Sequence, residues 1–343
     1  MPGNGAGLCA VLIATLLAAA PACAAEDGRP VWVVQVENDF FTQLTNTDRH
    51  YTNGLRISRV SAPGEIPRWL GAMAAVPSQF GPAGEPVAQR WAVSIGHSIF
   101  TPDDTDAFAL VPDDRPYAGW AYLGFSVHSV YEGTGGAGRQ DVFAVEAGIV
   151  GESALGEQVQ NTYHDLIGVD RSNGWDNQLR DEPGLQFVFE RKWRSAHTDA
   201  NPEGHEEIDF IPHVSVSLGN VLTDVGVGGM VRFGENLRND FGPPRIRPGL
   251  PGSETFENQG RFDWYVFAGL DGRAVARNIF LDGNTWKDSH RVNRRPFVGD
   301  IQFGWAALFG DTRLTYTHVI TSPEFNEQRQ WDQFGALTVS WKF

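Results

Sequence analysis

The last ten residues, FGALTVSWKF, set apolar Leu337, Val339, Trp341 and Phe343 between Ala336, Thr338, Ser340 and Lys342. A period of two is that of a β-strand, whose successive side chains point to opposite faces. One face suits lipid and the other a polar lumen, and a terminal aromatic closes the strand as in an outer-membrane barrel. Further strand patterns lie near 31–39, 52–61, 91–100, 118–131, 140–150, 184–194, 207–218, 220–233, 262–280, 296–308 and 311–321, which makes twelve. The predicted fold is all-β: a 12-stranded antiparallel transmembrane β-barrel. No stretch after the N-terminal segment has the roughly 18 continuous apolar residues of a spanning helix.

An even strand count returns both termini to the periplasmic side. Parity then sends 40–51, 101–117, 151–183, 281–295 and 322–330 outside, together with a tight turn at Gly219-Asn220. The long segments 62–90 and 234–261 fall on the periplasmic side, where turns are normally short. Within the first, IPRWLGAMAAV predicts a small amphipathic helix that plugs or covers that end. One outer connection also breaks the strand pattern: QNTYHDLIGVDRSNGWDNQLRDEP, residues 160–183, places Gln160 and His164 four positions apart. That spacing stacks both side chains on one face of a short helix.

The N-terminal run LCAVLIATLLAAAPACAA ends in small residues, Ala22-Cys23-Ala24, and predicts a secretory signal peptide over 1–24. Both cysteines, Cys9 and Cys23, would leave with it. A mature chain without cysteine has no disulfide, thiol nucleophile or cysteine metal site. Because residues 1–24 carry no charge, the formal balance of −15 belongs to residues 25–343, read as one barrel domain. Such acidity argues against nucleic acid as a partner. The expected setting is the bacterial outer membrane and its lipid, with the chain acting as a monomer.

Parity also sorts the polar residues. Strand one ends at Asn38-Asp39, strand two begins at Tyr51-Thr52-Asn53-Gly54, strand three runs into FTPDDTD, strand four starts from DDRPYAGW, and strand five leads to the His164 helix. Taken singly, an Asp or Asn at a strand end is turn chemistry. Five elements that bring Asn, Asp, Thr, Arg, Gln and His to one rim predict a functional site.

These residues carry a resemblance. NDFF at 38–41, DRHYTNG at 48–54, DDRPYAGW at 113–120, GEQVQNTYHDLIG at 156–168 and GWDNQL at 174–179 are similar to motifs of the outer-membrane lipid A 3'-O-deacylase family. The resemblance implies a twelve-stranded, calcium-dependent barrel that cuts the 3'-linked acyloxyacyl group from the lipid A of lipopolysaccharide. It implies His164 as the base with Gln160 near it, Thr52 in the site, and Asn38, Asp39 and Asp170 around the metal. The segment TPDDTDAFAL has no lysine where the family can carry one.

The residues can also be read chemically. Ester hydrolysis needs a nucleophile and a means to hold an oxyanion. With no cysteine the nucleophile is serine, threonine or water. A hard cation held by oxygens of Asp39, Asn38 and Asp170 suits calcium, with His164 taking a proton from water. Two alternatives stay open: a serine-type outer-membrane phospholipase or deacylase using Ser172, eight residues after His164, and a porin-like barrel without catalysis.

Overall fold

The computed structural model describes residues 28–42, 50–64, 66–80, 84–196, 198–199, 206–244, 246–247, 250–251, 255–256 and 262–343. The expected signal peptide, with Cys9 and Cys23, lies outside them.

Twelve long strands form the wall: β1 Val31–Asn38, β2 His50–Val60, β3 Ala88–Thr101, β4 Ala118–Glu132, β5 Gly138–Val150 and β6 Glu182–Arg194, then β7 Glu206–Gly219, β8 Leu222–Glu235, β9 Phe262–Asn278, β10 Phe297–Phe309, β11 Thr312–Thr321 and β12 Asp332–Lys342. Each pairs antiparallel with the next, and β12 closes on β1 in a register from Val31↔Lys342 to Asn38↔Gly335. Closure leaves no sheet edge, a requirement in lipid, where unpaired backbone groups have no water to bond. The predicted strands correspond one to one with these, within a few residues at their ends.

Alternation separates the two faces. Leu55, Ile57, Ile95, Leu123, Phe187, Val227, Leu270, Phe303 and Trp305 are exposed on the outward rows, a belt for lipid. Between them Gln35, Glu37, Arg56, Ser58, Gln186 and Glu190 point inward and are buried. In β12 the inward row is Ala336, Thr338, Ser340 and Lys342, and the outward row Leu337, Val339 and Trp341 is partly exposed, the arrangement that the period of two predicts.

The lumen is filled at both ends. From the periplasmic side, residues 236–244 fold inward around Asp240. Arg232 donates to Asp240, to both carboxylate oxygens of Asp209 (3.0 and 2.5 Å) and to the Leu237 carbonyl (2.6 Å). Arg313 and the Tyr265 hydroxyl each donate to Asp240 Oδ2 at 2.9 Å. Burial pushes the Asp240 carboxyl up, but Arg232 and Arg313 outweigh it and hold the group below the usual carboxylate range. At the other end the short helix α3, residues Ile279–Asp282 in chain order after two helices introduced below, is capped by Asn278, whose Oδ1 accepts from the Phe280 amide at 3.1 Å. Phe280 enters the barrel mouth and stacks on Phe100 at 3.8 Å.

Two further helices pack on the outside of the wall. The predicted helix of segment 62–90 is α1, Gly71–Ala75, between 3-10 turns at Arg68–Leu70 and Val76–Phe80. It covers the outer face of β4 and β5 near the periplasmic end. The helix predicted around Gln160 and His164 is α2, Gly156–Ile167, in the extracellular connection between β5 and β6.

Candidate active site on the outer wall

Outward rows should be exposed, yet at the extracellular end of β1 to β3 they are not. Asn38 continues the outward row of Val34 and Val36, and Ile99 and Thr101 that of Val93 and Ile95. Their exposures are 4%, 0% and 0%. Thr52 joins them through a β-bulge: Tyr51 opposes Phe100 and Asn53 opposes Ile99, so Thr52 is the extra residue. A bulge re-aims a side chain, and here Thr52 Oγ1 pairs with Thr101 Oγ1 at 2.7 Å. Asn38 Nδ2 donates to the Thr52 carbonyl at 3.2 Å, which ties the ends of β1 and β2 together. Asp39 opens a 3-10 turn, Asp39–Thr42, that lies over β12 and is itself buried.

The cover comes from the β5–β6 connection. Outward Gly119 of β4 faces Ala154 and the backbone of Gly156, and outward His97 bonds the Ala154 carbonyl through Nε2 at 2.7 Å. Helix α2 therefore rests on β3 and β4 from outside. Gly156, Gln160 and His164 form its buried stripe, the i, i+4, i+8 row that a helix presents to one neighbour. Leu155, at the N-cap, and Val159 and Leu166 on one flank stay exposed and can meet lipid, while Gln158, Thr162 and Asp165 occupy the side opposite the buried stripe. Trp175 fills the space beneath: it packs with Tyr117 and outward Ile99, and a side chain at Gly156 would meet its ring at 2.6 Å. Only glycine permits that approach.

Gln160 and His164 are each 3% exposed, and a hydrogen bond orients each side chain. Trp175 Nε1 donates to Gln160 Oε1 at 3.0 Å. This fixes the amide and leaves Nε2 a buried donor with no hydrogen-bond partner among the described residues. His164 Nδ1 is 2.6 Å from the Asp170 carbonyl. A carbonyl only accepts, so Nδ1 carries the proton and Nε2 holds the basic lone pair. Gly168 makes this possible. At φ +73° it ends α2 in the left-handed region and turns the chain back, with the Val169 amide donating to the His164 carbonyl at 3.0 Å.

The sequence candidates are thus gathered from two directions. Asn38, Asn53 and Ile99 are neighbours across three strands, about 10 Å at the usual strand spacing; Trp175 sits on Ile99 and Gln160 bonds Trp175. Asn38, Asp39 and Thr52 form the wall of this outward corner, and Gln160 and His164 its helical side. Asp170 enters through its carbonyl, while its side chain is exposed. Ser172 is buried, its amide donating to Asn161 Oδ1 at 3.0 Å, and its hydroxyl has no hydrogen-bond partner among the described residues. No cluster of three or more His, Asp or Glu side chains able to hold a metal occurs among the described residues. The donors at the corner, the Asp39 carboxylate and the Asn38 amide and carbonyl oxygens, suit a hard and partly hydrated cation. Trp175 and Thr101 were not among the sequence candidates. The tryptophan of GWDNQL and a threonine closing an outward row were the available signals.

Neighbouring loops are braced by charge. His50, at φ +62°, turns inward, with Nδ1 2.7 Å from Asp332 and Nε2 3.3 Å from Asp114. Burial raises the Asp114 carboxyl, but bonding to His50 and to the amides of Asp103 and Arg115 holds it below the usual range. Arg115 donates to Glu324 at 2.6 Å; against its burial, Arg115 and Arg273 hold the Glu324 carboxyl down as well.

A closed barrel with a lipid belt, a filled lumen and polar side chains buried between its outer wall and a loop helix defines an outer-membrane β-barrel protein. The chain matches the family model described as outer membrane protein LpxR over residues 10–343, and it belongs to that family, the one its motifs resemble. Among solved structures, LpxR from Salmonella typhimurium is similar at a TM-score of 0.71 and 18% identity, covering 91% of this chain and 100% of that one. The β domain of the Bordetella autotransporter Brka aligns at 0.48 and 9% identity, over 93% and 99% of the two chains. The likeness to the solved LpxR is one of fold. No curated protein matches the chain.

Proposed function

We propose that the protein is an outer-membrane ester hydrolase that removes the 3'-linked acyloxyacyl group of lipid A. The observation that carries this reading is the oriented pair Gln160 and His164, buried between the lipid-facing wall and the loop helix that carries them, one flank of which exposes Val159 and Leu166. A slot so placed opens sideways into the leaflet where lipid A lies, with the ester reaching it from the bilayer.

His164 Nε2 takes a proton from water as the water attacks the ester carbonyl, and the imidazolium is steadied by the Asp170 carbonyl on Nδ1. Gln160 Nε2 donates to the developing oxyanion, an interaction already aligned by Trp175. His164 then returns the proton to the departing hydroxyl of the sugar. Thr52 and Thr101 keep the opposing wall polar. A calcium ion held by the Asp39 carboxylate and the Asn38 carbonyl, with Asp170 as a further candidate, would polarise the ester carbonyl when bound.

The serine alternative has less support, because a nucleophilic serine needs a hydrogen bond to its base and the Ser172 hydroxyl makes none among the described residues. A porin-like role sits poorly with a lumen filled around Asp240 and Phe280. The deciding experiment is deacylation of lipid A by folded His164→Ala and Ser172→Ala variants in excess calcium. General bases contribute about 10²- to 10⁴-fold, so His164→Ala should fall by that factor with Ser172→Ala close to unchanged. Two equally inactive variants would transfer the chemistry to Ser172.

A further inference from the structure

The outside of the barrel carries a second built surface, at the periplasmic end, away from the helix site. Asp141 and Arg191 oppose each other in register on outward rows of β5 and β6. Charges on the lipid face of a barrel are destabilising, yet Asp141 is fully buried and receives two bonds from Arg191, at 2.7 and 2.9 Å. What shields them is segment 66–80. Arg191 also donates to the carbonyls of Phe80 (2.8 Å) and Pro77 (3.2 Å), so the ion pair staples the segment to the wall. Phe80 stacks on outward Phe189 at 4.6 Å, and Trp69 lies edge-on to outward Phe125 at 5.3 Å and to Trp91 at 6.5 Å. Leu70 and Pro77 are turned to the protein, whereas Arg68, Ala72 and Ala75 face away from it, and Trp69 and Phe80 remain 62% and 56% exposed.

We propose that segment 66–80 is a membrane foot that lies in the headgroup and acyl-chain boundary of the glycerophospholipid leaflet at the periplasmic end. Three observations converge on that occupant. The segment is continuous with the lipid belt, because its aromatic rings rest on Trp91, Phe125 and Phe189 of the outward rows. It pairs an exposed tryptophan and phenylalanine with an adjacent arginine, the composition that favours the bilayer interface. Its depth also fits: β5 and β6 have 13 residues each, more than the roughly 9–11 that cross the hydrocarbon. Asp141 and Arg191 are each the fourth residue from the periplasmic end of their strand, which places the staple at the boundary and not at the midplane.

The test is a fluorescent probe of polarity on the folded, full-length protein. Ala72→Cys, or Ala75→Cys one turn later, is labelled with a nitrobenzoxadiazole dye in phosphatidylcholine vesicles, with and without lipid spin-labelled near the glycerol. Thr134→Cys, in the exposed turn between β4 and β5, is the aqueous reference, and the unsubstituted chain controls for Cys9 and Cys23. The foot predicts emission at shorter wavelength at 72 and 75 than at 134, and loss of intensity with the spin-labelled lipid at 72 and 75 alone. Emission and quenching at 72 and 75 equal to those at 134, in barrels that remain heat-modifiable, would place the segment in water and overturn the proposal.

Discussion

Replacing Trp175 with phenylalanine tests whether Gln160 works as an oriented donor. The indole Nε1–H reaches Gln160 Oε1 at 3.0 Å inside a site where both residues are almost wholly buried. Phenylalanine keeps a ring against Ile99 and Tyr117 but deletes the donor. The amide oxygen is then buried without a partner, which costs about 1–3 kcal/mol. Rotation of the amide relieves that cost by turning Nε2 away from the slot, so the loss falls on the transition state. At about 1.4 kcal/mol per factor of ten, it corresponds to a roughly 5- to 150-fold fall in kcat. KM should change little, because the donor acts on charge that develops during attack. The assay is mass-spectrometric release of the acyloxyacyl group by folded, purified variants in detergent. Gln160→Ala should be at least as impaired, and adding Trp175→Phe to it should cost nothing further, since one interaction cannot be lost twice. Losses that multiply in the double variant would refute the reasoning and leave Trp175 as a packing residue under α2.

Asp39→Ala should abolish any calcium-dependent activity while the barrel remains heat-modifiable, because Asp39 lies outside the strand ladder; full activity in chelator would remove the metal from the account. Asp240→Ala leaves Arg232 and Arg313 without their shared carboxylate in the lumen, and breaking a buried pair costs about 3–5 kcal/mol. Its free energy of unfolding should drop by that amount, read as a lower midpoint in denaturant, and an unchanged midpoint would contradict the plug. Asp114 and Glu324 have folded pKa values below the ordinary carboxylate range, so their contribution is fully present above about pH 4 and is lost as pH falls through the folded values. Proteolytic protection of 102–117 and 322–331 should therefore hold from neutrality to about pH 4 and decline below it; protection that rises on acidification would reverse the assignment.

Much of this architecture was legible from spacing. A period of two counted the strands, their parity assigned the ends, and the Gln160/His164 interval announced a helix. What spacing could not show is the face on which the site lies. Asn38 and Thr52 read as turn residues at a rim, and their burial on the outward side depends on Trp175, whose contact with Ile99 spans 76 positions. A bulge at Thr52 has no local signature either, since it is defined only by the opposing strand. The lumen network is similarly dispersed: Asp209, Arg232, Asp240 and Arg313 come from β7, β8, a periplasmic segment and β11. For segment 62–90 the helix was predictable, but whether it plugs or covers was decided by Arg191, far along the chain. Asp170 was expected to offer a carboxylate; the turn at Gly168 brings its carbonyl to His164, and the role of its side chain remains a proposal.

The most direct test of the central claim is mass spectrometry of lipid A from a lipopolysaccharide-producing host that expresses either the unaltered chain or its His164→Ala variant, with both barrels verified as folded in the outer membrane. The account predicts lipid A lighter by one acyloxyacyl group with the unaltered chain and of full mass with the variant. Lipid A of full mass in both hosts, or equally shortened in both, would contradict it.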